Sequence, residues 1–148
     1  MRVGKEKARK RIRLRHSKQA GATHCFSIFI TNVDDHLHND GGLHTQLGQW
    51  TLALAFDVNP FPERVRELKT WISEETGPEA SIDTLMSVAA YFRIDRDATI
   101  RILGEVERAT CRWRKVGHFI GMSNSELDQF IDAFEHRERE IAIALIGG

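Results

Sequence analysis

Apolar positions recur at helical spacing over the second half of the chain and at shorter, mixed spacings before it. Ile82, Leu85, Met86, Ala89 and Phe92 fall on one helical face, with Ser81 placed to cap it and Asp83 in its first turn. Ala98, Ile102, Val106, Ala109, Trp113 and Val116 follow at intervals of three and four, which predicts one long helix capped by Asp95 and stopped by Gly117. Ser123 and Glu126 spell a capping box ahead of Leu127, Phe130, Ile131 and Phe134. Successive helices with short connections predict a helical bundle, with Trp113, Phe119 and Met122 as core residues.

The first half is patterned differently. The run Phe26–Ile30 is apolar and partly β-branched, and five residues do not separate the last turns of a buried helix from a short strand. A polar loop over residues 31–40 follows, closed by the turn signal Gly41-Gly42. Leu43–Leu47 and Gln49–Phe56 read as a β-hairpin turning at Gly48, whose arms would carry Asn39 and Asp57 to neighbouring ends. Pro60 and Pro62 break what precedes them. Over residues 63–76, Val65, Leu68 and Ile72 fit a helical face while Leu68–Ile72 also fits a short strand; a helix is expected there. The fold class is therefore mainly α, with a small hairpin.

Composition narrows the setting. A chain of 148 residues is long enough to bury about two-thirds of its unfolded surface in one core. Its 41% hydrophobic and 28% charged fractions are those of a globular protein rather than a disordered one. The zero net charge conceals an asymmetry: residues 1–18 hold nine Lys or Arg against Glu6 alone. That basic stretch binds nucleic acid or an anionic surface weakly at most, since no aromatic residue is interleaved for base stacking. Residues 1–25 are expected to form a basic, poorly ordered N-terminus, and residues 26–148 the folded domain. Cys25 and Cys111 form no CxxC, which argues against a disulfide framework or zinc site and for a reducing cytoplasm. No apolar run approaches the roughly 18 residues of a membrane span, so no membrane partner is expected.

The polar loop concentrates the candidate chemistry. Asp34 and Asn39 form a DxxxxN unit, and a second carboxylate, Asp57, arrives 23 residues after Asp34. Protein kinases use such a set: one Asp to orient and accept the proton of a hydroxyl, an Asn and another Asp to hold magnesium on the ATP phosphates. Magnesium takes one or two carboxylates and fills its remaining positions with water and phosphate. The spacing is permissive, and other readings fit the same residues. His24, His36, His38 and His44 with Asp34, Asp35 and Asp40 supply the donors of a transition-metal cluster, though without the fixed spacing such sites favour. Asp35 stands beside Asp34, and two carboxylates facing inward would disfavour each other's ionised form, so one of the two is expected to point to solvent or a backbone donor.

The run Phe26-Ser27-Ile28-Phe29-Ile30-Thr31-Asn32-Val33-Asp34-Asp35-His36-Leu37-His38-Asn39, followed by Leu52-Ala53-Leu54-Ala55-Phe56-Asp57-Val58-Asn59-Pro60, resembles the C-terminal domain of HipA-like serine/threonine kinases, the toxins of bacterial toxin–antitoxin pairs. The resemblance extends through Ser81-Ile82-Asp83 and Tyr91-Phe92-Arg93, covering residues 26 to 140. It implies a kinase-like C-terminal helical lobe whose hairpin carries the catalytic and metal-binding loop. It implies Asp34 as the catalytic Asp, Asn39 and Asp57 as magnesium ligands, and a supporting place in the ATP site for His36. Mg2+ and ATP are the implied cofactor and co-substrate, a protein Ser or Thr of a translation component the implied acceptor, and a small DNA-binding antitoxin the implied partner.

Two departures bear on activity. Ala53 and Leu54 stand where the family usually has a small polar residue and Pro. The stretch before Phe26 is too short for the nucleotide-covering N-terminal lobe of the family, so a truncated or frame-shifted product is expected, with little activity alone. Three functional classes follow: the C-terminal lobe of a kinase, a non-catalytic remnant that keeps a binding surface, and a small metal-dependent hydrolase.

Overall fold

The computed structural model describes residues 18–34, 41–47, 49–63, 67–69, 71, 74 and 77–148. Residues 18–29 form α1, so the apolar run Phe26–Ile30 is the end of a helix. Gly21, Cys25, Ile28 and Phe29, at spacings of four, three and one, make its buried side. The expected boundary at 25/26 thus falls inside a helix. Its N-terminal turns escape a hydrophobic pattern because the inward residues are small: a Cβ on Gly21 would lie 3.1 Å from Ile94 Cδ1.

The end of α1 accounts for each carbonyl of its last turn. Those of Phe26, Ser27 and Ile28 accept from the N–H groups of Ile30, Asn32 and Thr31, and that of Phe29 from His136. The crossed bonds from Asn32 and Thr31 make a Schellman ending, with Thr31 at φ 54° where glycine is usual. A β-branched residue there is strained. Its hydroxyl donates to the Ala133 carbonyl at 3.0 Å, a long-range bond that fixes the turn.

The hairpin is shorter than its pattern. β1 (Gly42–Gln46) pairs antiparallel with β2 (Gln49–Leu52), Leu43 opposite Thr51 and His44 opposite Trp50, with an irregularity before Gln46. Residues 53–56 leave the ladder after the Ala53 N–H bonds the Gly41 carbonyl at 2.7 Å. Because β1 is exposed throughout, no core face prolongs the pairing. Gln19 ties the hairpin base to α1 by donating from Nε2 to the Ala53 carbonyl at 2.9 Å.

The segment expected to be helical over 63–76 is not helical at its described residues. Glu67 bridges Glu79, the Leu68 N–H donates to the Pro78 carbonyl, and the Lys69 N–H to the Val33 carbonyl. Leu68 is buried, and tertiary pairing outweighs the weak helical periodicity.

The remaining helices are α2 (Ile82–Val88), continued by a 3₁₀ turn (Ala89–Phe92), α3 (Arg96–Thr110), α4 (Trp113–Phe119), α5 (Asn124–Asp128), α6 (Ile131–Phe134) and α7 (Arg137–Gly147). The three caps expected from sequence are present. Ser81 Oγ accepts from the Thr84 N–H, Asp95 Oδ1 from the Ala98 N–H, and Ser123 with Glu126 closes a capping box.

The single helix expected from Asp95 to Gly117 is instead two. At the end of α3 the Thr110 hydroxyl bonds back to the Val106 carbonyl, and the chain turns at Cys111-Arg112. Gly117 is not the stop but a buried packing site: a Cβ there would lie 2.3 Å from Leu127 Cδ2. Gly121, at φ 94°, ends α4 instead in a second Schellman turn, its N–H donating to the His118 carbonyl and that of Met122 to the Gly117 carbonyl. Phe119, expected in the core, is 89% exposed; Trp113 and Met122 are partly buried.

The core gathers Cys25, Ile28, Phe29, Ile82, Leu85 and Leu103 between α1, α2 and α3, with α7 across α3. A largely buried pair, Arg139 to Glu107 at 2.9 Å, joins α7 to α3, and Arg139 also donates to the Phe134 carbonyl. Glu138 accepts from the Ile82 N–H, docking the start of α7 on that of α2. The protein is mainly helical with one small antiparallel hairpin.

Candidate functional site

The Schellman turn at Thr31 delivers Asp34. Asn32 and Val33 are buried and Asp34 emerges exposed, so the stem of the polar loop is held in the core while its first carboxylate meets solvent. Lys69 Nζ lies 2.5 Å from Asp34 Oδ1, in an ion pair more than half exposed on both sides. Its backbone N–H reaches the Val33 carbonyl, so this cation is seated by main-chain pairing rather than by a wandering surface side chain.

Asp57 arrives on the other side of the stem. The Phe61 N–H donates to the Thr31 carbonyl at 3.2 Å, laying the segment 57–61 along the residues that lead to Asp34. Val58 packs on the core, which leaves Asp57 exposed at φ 54°, a left-handed conformation that aspartate tolerates better than most residues. Its Oδ1 accepts from Asn59 Nδ2 at 2.9 Å. Asp57-x-Asn59-Pro60 is therefore a self-braced turn.

His36 and Asn39 lie outside the described residues, as do Asp35, His38 and Asp40. Of the four residues expected at the site, Asp34 and Asp57 are thus located, on segments that run side by side. Two further histidines of the imagined metal cluster are engaged elsewhere: His24 packs against Phe92 with ring centroids 5.5 Å apart, and His44 against Trp50 at 5.1 Å. Among the described residues no group of three or more His, Cys, Asp or Glu is placed to hold a metal ion. A single exposed carboxylate such as Asp57 fits magnesium, which needs few protein ligands, better than a transition metal.

Lys69 had no signal in the sequence, since only the pairing of residues 67–69 with Val33 and Pro78 brings it to Asp34. Asn32 carries a second unforeseen feature. Its amide donates to Ser27 Oγ at 3.3 Å, and its carbonyl oxygen is buried without a hydrogen-bond partner among the described residues.

A family model described as the HipA-like C-terminal domain matches residues 6–113. The chain belongs to the HipA-like C-terminal domain family. The match takes in Asp34, Asp57 and Lys69 together, and it begins 20 residues before Phe26, where the resemblance read from the motifs starts. It ends at Trp113, so almost all of α4 and all of α5 to α7 follow it. No curated protein and no solved structure matches the chain. Among the described residues no helix is long and apolar enough to cross a membrane.

Proposed function

We propose that this HipA-like domain is the helical lobe of a serine/threonine protein kinase, carrying the hydroxyl-orienting and magnesium-holding residues of the reaction. The observation that carries this reading is the Phe61–Thr31 backbone bond, which sets the Asp57 turn beside the stem that presents Asp34. Asp34 orients the acceptor hydroxyl and takes its proton as the hydroxyl oxygen bonds to the γ-phosphorus of ATP and the bond from that phosphorus to the β,γ-bridging oxygen breaks, releasing ADP. Asp57, steadied by Asn59, holds Mg2+ with Asn39 from the polar loop, and His36 supports that loop. Bound there, the ion neutralises phosphate charge during transfer. Lys69 fixes the carboxylate of Asp34 and must yield or share it when the hydroxyl arrives. In this reading the acceptor is a protein Ser or Thr, a translation component being the expected class, in the cytoplasm, with a DNA-binding antitoxin as restraining partner.

The Lys69–Asp34 pair favours one second reading, a non-catalytic domain that binds a partner with its base already occupied. One experiment separates the two. The chain is combined with a nucleotide-binding lobe of the same family, in trans or by fusion, and transfer of labelled phosphate to protein is followed. Transfer that Asp34→Asn and Asp57→Asn each abolish supports the kinase. Absence of transfer with intact folding and lobe association gives the second reading.

A further inference from the structure

The Lys69–Asp34 ion pair is too exposed to explain by its own energy why Lys69 is seated so firmly. Pairs open to water add little to stability, and the two side chains are 55% and 61% exposed. Yet the backbone under Lys69 is fixed from both sides. Leu68 is buried and its N–H donates to the Pro78 carbonyl at 2.7 Å, while the Lys69 N–H donates to the carbonyl of Val33, the residue before Asp34. Glu67 is bridged to Glu79. Main-chain pairing therefore brings an ammonium to 2.5 Å from Asp34 Oδ1 at the solvent-facing end of the stem.

Phosphoryl transfer at Asp34 brings phosphate to that ammonium. A hydroxyl oriented by the carboxylate stands about 2.7 Å from it, and reaction begins with the hydroxyl oxygen about 3–3.5 Å from phosphorus. The γ-phosphoryl group thus arrives within roughly 6 Å of the carboxylate that Lys69 already touches. An ammonium carries three hydrogens on a rotatable head, so it can donate to a carboxylate and to a phosphoryl oxygen together. Asp34 and Asp57, exposed on adjoining segments, repel a triphosphate. A fixed cation offsets that repulsion, and it offsets most strongly the charge spread over the equatorial oxygens of the transferring group.

We infer that Lys69 is a further catalytic residue, an inference that rests on the kinase reading: its ammonium stays on Asp34 and donates to an equatorial oxygen of the γ-phosphoryl group as that group passes to the acceptor. The hydroxyl proton goes to the Asp34 carboxylate, the electron pair of the broken bond leaves on ADP, and Lys69 keeps its own protons throughout.

The full chain assembled with a nucleotide-binding lobe of the same family tests it. Lys69→Met is expected to lower kcat about 100-fold while KM for ATP stays within about twofold, and Lys69→Arg to recover part of the loss. A second readout needs no turnover. Magnesium and ADP with aluminium fluoride, which stands in for the transferring group, bind the wild-type assembly about tenfold more tightly than magnesium and ADP alone, and Lys69→Met loses that gain while binding ADP as before. A residue that only steadied the fold would weaken both together. A Lys69→Met assembly that transfers phosphate as fast as the wild type or faster, or that keeps the fluoride gain, overturns the inference and leaves the kinase reading standing. A wild-type assembly that transfers no phosphate overturns both.

Discussion

The imidazole of His136 joins the Phe29 carbonyl, at the end of α1, to the start of α7. Its Nδ1 accepts from the Arg139 N–H at 3.2 Å, so Nε2 carries the hydrogen and donates to Phe29 at 3.1 Å. One neutral ring thereby caps one helix and closes another. His136→Ala removes both bonds and is expected to lower stability by about 1–3 kcal/mol. His136→Asn, which keeps a cap acceptor, is expected to lose less. Urea unfolding of the three proteins gives the order.

Thr31 is held against its own conformational preference by its bond to Ala133. Thr31→Val keeps the shape, removes the hydroxyl and leaves a buried carbonyl unpaired, an expected loss of about 1–3 kcal/mol. Thr31→Gly loses the same bond but relieves the left-handed backbone, worth about 1 kcal/mol. The glycine variant is therefore expected to be the more stable of the two by equilibrium unfolding. A valine variant at least as stable as the glycine one would show that the turn carries no strain.

Gly117 has no room for a methyl group against Leu127. Gly117→Ala is expected to destabilise the protein by about 1–3 kcal/mol through overpacking, although alanine is the better helix former. Combining it with Leu127→Ala should recover part of that loss, which a thermal melt of the double variant reads directly.

Cys25 and Cys111 are both free, yet they differ in chemistry. Burial pushes the Cys25 thiol up to about 12, so it holds almost no thiolate at neutral or mildly alkaline pH, while Cys111 is exposed. A chromogenic disulfide reagent at pH 8 is expected to consume one thiol quickly in the folded protein and two after denaturation. Two fast thiols in the native state would mean that α1 opens readily.

The 148-residue chain alone is expected to show no phosphoryl transfer, because the family it matches is a C-terminal domain and such transfer depends on groups that cover the nucleotide as well as those that orient the hydroxyl. Labelled-phosphate incorporation by the purified chain, lost on Asp34→Asn, would contradict this.

How much of this was legible in the sequence depended on how local each feature is. Ser81, Asp95 and the Ser123–Glu126 box act within one turn of helix, and all three caps are where the residue types place them. The pairing of the two hairpin arms was legible, the turn expected at Gly48 lies outside the described residues, and the length of the pairing was not legible because the arms have no core beneath them. Gly117 illustrates an ambiguity of residue type: glycine ends helices and also admits close approach, and only Leu127 decides between the two. The early turns of α1 were hidden because small residues form their inward face. At the candidate site the motif named Asp34 and Asp57 as expectations, while Lys69 reaches Asp34 through a pairing that no spacing encodes.

The bond from Thr31 to Ala133 crosses a boundary that the family match draws at Trp113. Beyond that boundary the turn presenting Asp34 leans on a main-chain oxygen of α6, and the end of α1 on an imidazole at the head of α7. Substitutions in α6 and at the head of α7, in a region the family match does not reach, therefore have a direct route to the aim of Asp34. The stem that presents Asp34 and the last two helices are coupled, and a homologue that replaces α6 must find another acceptor for its residue 31 or put glycine there.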